Sequence, residues 1–442
     1  GWCGNEAGGT RSTEWNVIPY QANPDTMSNF ADMTDKDLGS REQLYKAKYL
    51  HYQQAETNTS IREGWFYRDD THQKGRSTDD VFDIYERAVG GNSTFLLNIP
   101  PNRDGKFSPT DVAVLKETGQ RIRETYGTDL FRQAKGPKEV LDQNADTYVT
   151  ADKDGAGIVI STPRPVTLNR LVLQEAIATN GERVERHAVD AWIDGGWKEI
   201  AHATNIGYKR ILRFPDVTTD KIRVRILESR LTPAICTISA HHYKARPPRL
   251  SAQRSMDGLV TIEPMAQEFG WKAHGENIAE NLNAGFKIYY TTDGTEPSAG
   301  STEYKAPFLM GNSELKAVAI LNGEKGAILQ ERFGLVKKGW KIADKTAQSL
   351  AIDLGSQQTV SGFAFTPQKQ GGKGTVAGII RISNDGKNWK EVERFEFGNL
   401  INDPSKRYHH FKQTVKARYV QVEAAEIAAR TEAAALAGID IF

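Results

Sequence analysis

Glu6 stands in Gly4-Asn5-Glu6-Ala7-Gly8-Gly9, a carboxyl set among residues too small to build a core. Such residues let a backbone approach a ligand closely, and a carboxyl between them can give or take a proton. Read bare, Glu6 is equally an ordinary solvated loop residue. Glu14 follows in Thr13-Glu14-Trp15, either as a second carboxylate or as an ion-pair partner of Arg11 that holds the loop. Glu56 precedes a strand expected at Thr57–Ile61. Trp15 and Trp65 offer flat apolar rings, for a ligand or for a core. His51 and His72 lack metal-ligand spacing and read as surface histidines. Cys3 and Cys236 form neither a disulfide framework nor a metal cluster; two lone thiols are expected, with one long-range bridge as the alternative.

Residues 1–126 carry the elements that must position these groups. Good helix formers over 41–55, with Leu44, Tyr45, Tyr49 and Tyr52 on one side, predict a helix. Thr78-Asp79-Asp80 caps a second, lined by Val81, Ile84, Tyr85 and Ala88, with a left-handed end at Gly90-Gly91. Thr94–Ile99 reads as a buried strand stopped by Pro100-Pro101, with Asn98 and Arg103 at its end. Ser108-Pro109 opens a third helix whose inner face is Val112, Leu115, Thr118 and Ile122. Helix, buried strand, helix is the rhythm of an α/β barrel.

After Gly127 the texture becomes short alternating strands. HAVDAWIDGGWKEI (187–200) aligns with GIIRISNDGKNWKEV (378–392), NRLVLQEAI (169–177) with SGFAFTPQK (361–369), and DKIRVRIL (220–227) with ARYVQVEA (417–424). Two homologous β-sandwiches, 127–245 and 336–442, therefore flank a different β domain, 246–335. The fold class expected is multidomain: a partial (β/α)8 barrel followed by all-β domains.

The whole chain has 442 residues, with 57 Lys and Arg against 56 Asp and Glu, a formal net charge of +1. That balance argues against nucleic-acid binding through a basic field. No apolar run reaches the roughly 20 residues a membrane-spanning helix needs. At 38% hydrophobic residues, the chain has enough apolar material for packed cores.

Three ordered blocks resemble family 29 α-L-fucosidases: GWCGNEAGGTRSTEWNVIP (1–19), AETNTSIREGWFY (55–67) and VFDIYERAVGGNSTFLLNIPPNRDGKFSP (81–109). The similarity is to the subgroup acting on α-1,3/4-linked fucose, and to the C-terminal part of its barrel. The sandwiches resemble discoidin-type F5/8 C domains. YTTDGTEPS (290–298) and KAVAI (316–320) resemble the Ig-like module of chitobiase-type enzymes. The resemblance implies a retaining exo-fucosidase acting on fucosylated glycans, which needs a nucleophile and a protonated acid. It makes Glu6 the general acid/base, with Glu56 as the fallback, and puts Trp65, Trp15, Glu14 and Asn5 at the substrate. It implies no cofactor, a structural Ca2+ in a sandwich loop being left open, and by analogy a periplasmic or secreted site. Oligomeric state is not addressed by the sequence.

The family's nucleophile, an Asp in a Trp-Phe-Asp-Gly-type motif, does not occur in this sequence. A complete (β/α)8 barrel takes at least about 200 residues. Residues 1–126 are therefore expected to be the C-terminal portion of a catalytic domain, and the 442 residues alone to show no fucosidase turnover. The competing expectation is a non-catalytic carbohydrate-binding or adhesion fragment built on the sandwiches.

Overall fold

The computed structural model describes residues 8–20, 33, 35–62, 65–67, 73, 75–150, 157–264, 285–346, 348–366, 374–397, 406–428 and 438–442. The chain is mostly β and multidomain. Its first part holds β1 (Val17–Tyr20), α1 (Arg41–Lys46), β2 (Tyr49–Tyr52), β3 (Glu56–Ser60), α2 (Thr78–Val89), β4 (Thr94–Asn98) and α3 (Pro109–Tyr126). β3 and β4 pair in parallel, Glu56 beside Thr94 and Ser60 beside Asn98. One parallel pair flanked by two helices is what the described residues contain; a barrel is not seen among them.

Several local expectations need correction. The helix over 41–55 stops at Lys46, and Tyr49–Tyr52 pairs antiparallel with β1. Tyr49-Leu50-His51-Tyr52 is rich in aromatics, which suit a pleated strand better than a helix once a partner strand is present. β4 is not a buried strand. Among the described residues it pairs with β3 alone, on one side, and Leu96 is 48% exposed.

α2 is capped by Ser77, whose hydroxyl accepts from Asp80 N, one residue before the expected cap. Its end is not left-handed: Gly90 lies at φ −78°, and the positive φ falls on Asn92. Gly90 serves close approach instead. A Cβ there would meet the Ile211 side chain at 2.5 Å and Glu86 O at 2.3 Å.

α3 has Ser108 before Pro109 as expected, without a side-chain cap bond. Its buried side is Asp111, Thr118, Arg121 and Thr125, whereas Val112, Leu115 and Ile122 stay half-exposed. The reason is electrostatic packing. Arg121 bonds Asp79 and Glu117 and lies over the Phe82 ring, and Asp111 takes Arg62.

The region expected to be the first sandwich, and so called below, comprises a 3-10 turn at Lys138–Val140, β5 (Val149–Thr150), β6 (Ile158–Glu175), α4 (Ile177–Asn180), β7 (Val184–Ile193), β8 (Gly196–Ala203), β9 (Arg210–Ser229) and β10 (Ala234–His241), its strands hydrogen-bonded in one six-stranded sheet. Its aliphatic core centres on Ile160, Leu171, Leu173, Val189, Leu212 and Val224. The middle region has β11 (Leu250–Arg254), β12 (Leu259–Pro264), β13 (Lys287–Thr291), β14 (Thr302–Glu303), β15 (Phe308–Leu309), β16 (Ser313–Leu321), β17 (Glu324–Lys325) and β18 (Leu329–Phe333). They form one three-stranded and one five-stranded sheet around Val260, Ile262, Leu315 and Ala317. The second sandwich has β19 (Lys341–Lys345), β20 (Ser349–Phe365), β21 (Gly374–Ser383), β22 (Lys390–Glu396), β23 (Arg407–Ala428) and β24 (Ile439–Ile441).

The repeat is visible in the topology. The order β10-β6-β9-β7-β8 of the first sandwich recurs as β24-β20-β23-β21-β22 in the second. One aligned pair slips by a residue. Ala191 sits beside Lys198 and Ile222, and Ile382 beside Lys390 and Val420. Ile222 thus corresponds to buried Val420, not to Tyr419 as DKIRVRIL over ARYVQVEA would have it. A one-residue slip exchanges the two faces of a strand, so burial decides the register. In that register a cross-strand ion pair recurs with its signs exchanged: Asp190 with Arg225 in the first copy, Arg381 with Glu423 in the second.

Candidate active site

Parallel strands deliver functional residues at their carboxyl ends. At that end of β3 and β4, Asn98 Nδ2 donates to Ser60 Oγ at 3.1 Å and to Trp65 O at 2.9 Å. Asn98 thereby ties the loop carrying Trp65 to the strand end. Two arginines brace this corner. Arg76 donates to Ser60 O and Thr59 Oγ1 and pairs with Asp80, all three partners near or within the buried strand. Arg62 pairs with Asp111 at 2.8 Å and lies 5.7 Å from the Tyr67 ring centre. Asp80 is buried enough for its carboxyl to be pushed up despite Arg76, desolvation being the larger influence.

The segment after the Glu6 motif runs along β3. Gly8 N donates to Asn58 O at 3.1 Å, and Thr10 Oγ1 meets Thr57 Oγ1 at 2.8 Å, which meets Ser93 Oγ at 2.9 Å. From Gly8 to Thr10 the chain therefore passes from the level of Asn58 towards that of Thr57, away from the strand's carboxyl end. Gly8 has φ +79° and rests on Ile84, a place where a side chain would be strained. Glu6 and Asn5 lie outside the described residues, as do His72 and Cys3.

Other candidates are placed elsewhere. Glu56 begins β3, about 13 Å of extended strand from Ser60, so it stands at the amino end and does not join Asn98 and Trp65. Glu14 is buried and accepts from Arg11 N and Arg11 Nη1, both at 2.7 Å. Its carboxylate is occupied by the ion pair that holds the loop, not turned to a substrate. Trp15 is buried too, with the Arg230 guanidinium 3.7 Å from its ring centre. That face, available to a sugar in the sequence reading, is covered by the first sandwich. His51 lies on exposed β2. Cys236 is buried and free, its thiol pushed up by desolvation. Among the described residues no group of three or more His, Cys, Asp or Glu side chains converges as a metal site requires.

The sequence reading missed how deeply the first sandwich enters this region. Glu182 accepts from Asn16 N at 2.9 Å, from Asn16 Nδ2, and from Asn92 Nδ2 at 2.6 Å. Asn205 Nδ2 and Asn92 Nδ2 both donate to Glu14 O, and Thr204 Oγ1 donates to Ser12 O. Asn16 Oδ1 in turn accepts from Ala55 N, just before β3. Glu175 organises the gripping loops from beneath, accepting from Arg183 N, Val184 N and Gly207 N. Burial pushes its carboxyl up to about 7, against the pull of those three amides. A buried salt-bridge cluster completes the junction. Arg170 clasps Glu86 at 2.7 and 3.1 Å, Arg213 reaches Asp83 at 2.7 Å, and Tyr243 stacks on Phe82. Signals for this existed only as polar residues at conspicuous places, Asn16 and Asn92 among them, whose partners lie far along the chain.

Comparison with known proteins fits this geometry. Residues 13–126 match the alpha-L-fucosidase family, 278–333 the Fn3-associated family and 310–437 the F5/8 type C domain. The chain carries an F5/8-type, discoidin-like domain; the match begins inside the preceding sheet, whose last strand ends at Phe333. Alpha-L-fucosidase 1 of Arabidopsis thaliana is 28% identical over 257 residues, 53% of this chain and 48% of the relative. A protein of Oryza sativa subsp. japonica, assigned as alpha-L-fucosidase 1, is 30% identical over 41% of this chain and 38% of its own. A crystal structure from Bacteroides ovatus, also assigned as an alpha-L-fucosidase, is 28% identical with a TM-score of 0.50, over 100% of this chain and 62% of the other. This chain spans about half or less of the curated relatives' length. The homologues are glycoside hydrolase family 29 alpha-L-fucosidases.

Proposed function

We propose that residues 1–126 supply the acid/base portion of a retaining exo-α-L-fucosidase that releases fucose from fucosylated glycans, those with α-1,3/4 linkages in particular. The observation that carries the reading is the coincidence of the 13–126 family match with a parallel β3–β4 pair whose carboxyl end gathers Ser60, Asn98 and the Trp65 loop. In this reading Glu6 protonates the glycosidic oxygen and later deprotonates the incoming water. Its support is the motif itself together with the direction of Gly8–Thr10 along β3. Trp65 meets the apolar side of the fucose ring, and Asn98 positions it. Asn5 stays a substrate contact on the motif alone.

The nucleophile is an Asp carried by polypeptide other than these 442 residues, since no Trp-Phe-Asp-Gly-type motif occurs among them. The β3–β4 pair is then the last part of a (β/α)8 barrel. The 442-residue chain assayed by itself on an aryl α-L-fucoside should show no turnover; turnover would overturn the nucleophile assignment. A periplasmic or secreted setting suits glycan substrates and belongs to the same proposal.

The adhesion reading loses one support. The first sandwich's loops around Glu182 and Asn205 are spent on the fucosidase-like part and not displayed for a glycan.

A further inference from the structure

A cleft separates the carboxyl end of α2 from the first sandwich, lined by Thr10, Arg11, Arg87, His202, Arg210 and Arg213 among others. Two of these guanidiniums are nine-tenths buried without a full set of acceptors. Arg87 spends Nε on Asp83 and Nη1 on Gly8 O, and its buried Nη2 has no acceptor among the described residues. Arg210, 6% exposed, donates from Nε to Asn205 O and from Nη2 to Asn205 Oδ1 and Thr204 Oγ1. No carboxylate among the described residues bonds it. For Arg210 this is costly, because desolvation is not offset by a bonded opposite charge; Arg87 has Asp83, and only its Nη2 is left without an acceptor among the described residues.

Charge points the same way. Among the described residues Arg11, Arg87, Arg170 and Arg213 pair with Glu14, Asp83 and Glu86, and His202 Nδ1 lies 3.1 Å from Glu199 Oε1, which leaves Arg210 as the lining guanidinium with no ion pair to a described residue. Glu86 lines the cleft, but Arg170, Arg213 and Tyr126 already saturate its carboxylate. The carboxyl end of α2 faces the cleft and its dipole opposes an anion, so the guanidiniums must outweigh it; one carbonyl there, Gly90 O, is already taken by Ile211 N. Arg210 is held down to about 10 by burial, as expected of a cation lacking a close counter-ion.

We propose that this interdomain cleft is an oxyanion site, in which Arg87 and Arg210 bind a sulfate- or carboxylate-type group with His202 at its mouth. Guanidinium forks match such planar or tetrahedral anions. The anion arrives either free or as the acidic substituent of a glycan. The site is independent of the fucosidase reading and uses none of its assigned residues.

The test is calorimetry and thermal melting of the 442-residue chain with sodium sulfate, compared with sodium chloride at matched ionic strength. Galactose 6-sulfate and N-acetylneuraminate form the second arm. Saturable one-to-one sulfate binding is expected, with a melting temperature raised beyond the chloride control. Binding of either sugar assigns the anion to a glycan; binding of sulfate alone assigns it to a free oxyanion, and both support the site. Arg87→Met should weaken binding at least tenfold and Arg87→Lys less. Should Arg87→Met misfold, His202→Glu at the exposed mouth serves instead, with the same tenfold loss expected. Sulfate acting no differently from chloride, or folded variants binding like the unsubstituted chain, would overturn the proposal.

Discussion

Arg170, on β6 of the first sandwich, places both arms of its guanidinium on the Glu86 carboxylate of α2, and both side chains are almost wholly buried. Tyr126 completes the carboxylate at 2.6 Å, and the Tyr243 ring lies 4.9 Å under the guanidinium. Two regions of different texture are thereby one packed body at this point. Cutting one side of such a pair leaves the other charge buried alone, at a cost of about 3–5 kcal/mol. Glu86→Ala or Arg170→Met should each lose that much in chemical denaturation. Glu86→Leu with Arg170→Met together should recover most of it. A loss under 1 kcal/mol for either single variant would refute the clasp.

Glu182→Ala removes the acceptor shared by Asn16 and Asn92. The expected loss is about 1–3 kcal/mol, from the unpaired amides left behind. Hydrogen exchange should speed up at Asn16 and along 10–16, while the β6 and β9 amides keep their protection. Unchanged exchange at Asn16 would show that the sandwich does not hold this segment.

Gly90→Ala tests the close approach of α2 to β9. Its Cβ would meet Ile211 at 2.5 Å and Glu86 O at 2.3 Å. Overpacking of this kind costs about 1–3 kcal/mol. The clash with a backbone oxygen should persist when Ile211→Ala relieves the side-chain part, so the double variant recovers only partly. A Gly90→Ala melting curve matching the unsubstituted one would contradict the contact.

Two buried groups should oppose each other in the pH dependence of stability. His187 is buried, with Nδ1 on Thr204 O, and desolvation lowers it from 6.5 to about 3. Between those values the unfolded chain binds a proton that the folded one refuses, so stability falls as pH falls. Glu175 is raised from 4.5 to about 7. Over that window the folded state keeps a proton that the unfolded state has lost, so stability falls as pH rises. The slopes offset each other between about pH 4.5 and 6.5. Relative to the unsubstituted chain, His187→Gln should gain up to about 1.4 kcal/mol per pH unit on acidification below pH 6. Glu175→Gln should instead gain on raising the pH from 5 to 7. Denaturation curves that stay parallel across pH would contradict both shifts.

What the sequence disclosed follows how local each signal is. Ser108-Pro109, the α2 spacing and the duplicated Trp-Lys-Glu turn are written within a few residues, and the elements appear where they are written. The register of β9 against β23 is not local, since either face reads as alternating until burial selects Ile222 and Val420. The same holds for Tyr49–Tyr52, whose helical spacing yields once β1 is there to pair. Glu14 was legible, since its partner Arg11 lies three residues away and the ion pair forms as the sequence reads. Trp15 was not, because its ring is claimed by Arg230, over 200 residues on, a partner chosen in three dimensions. Gly90 and Gly91 do end α2 as the sequence reads, but the close approach they permit is not legible there, because Ile211 is encoded over 100 residues later.

The measurement that bears most directly on the central claim uses the complete protein, nucleophile segment included. Aryl α-L-fucoside hydrolysis is followed for Glu6→Ala with and without azide. Loss of the general acid should lower kcat on poor leaving groups by about 10²–10⁴. With an activated leaving group, azide should restore turnover and yield the α-configured fucosyl azide, the product of two successive inversions. Glu6→Ala retaining the unsubstituted rate on a poor leaving group, with no azide product, would contradict the account.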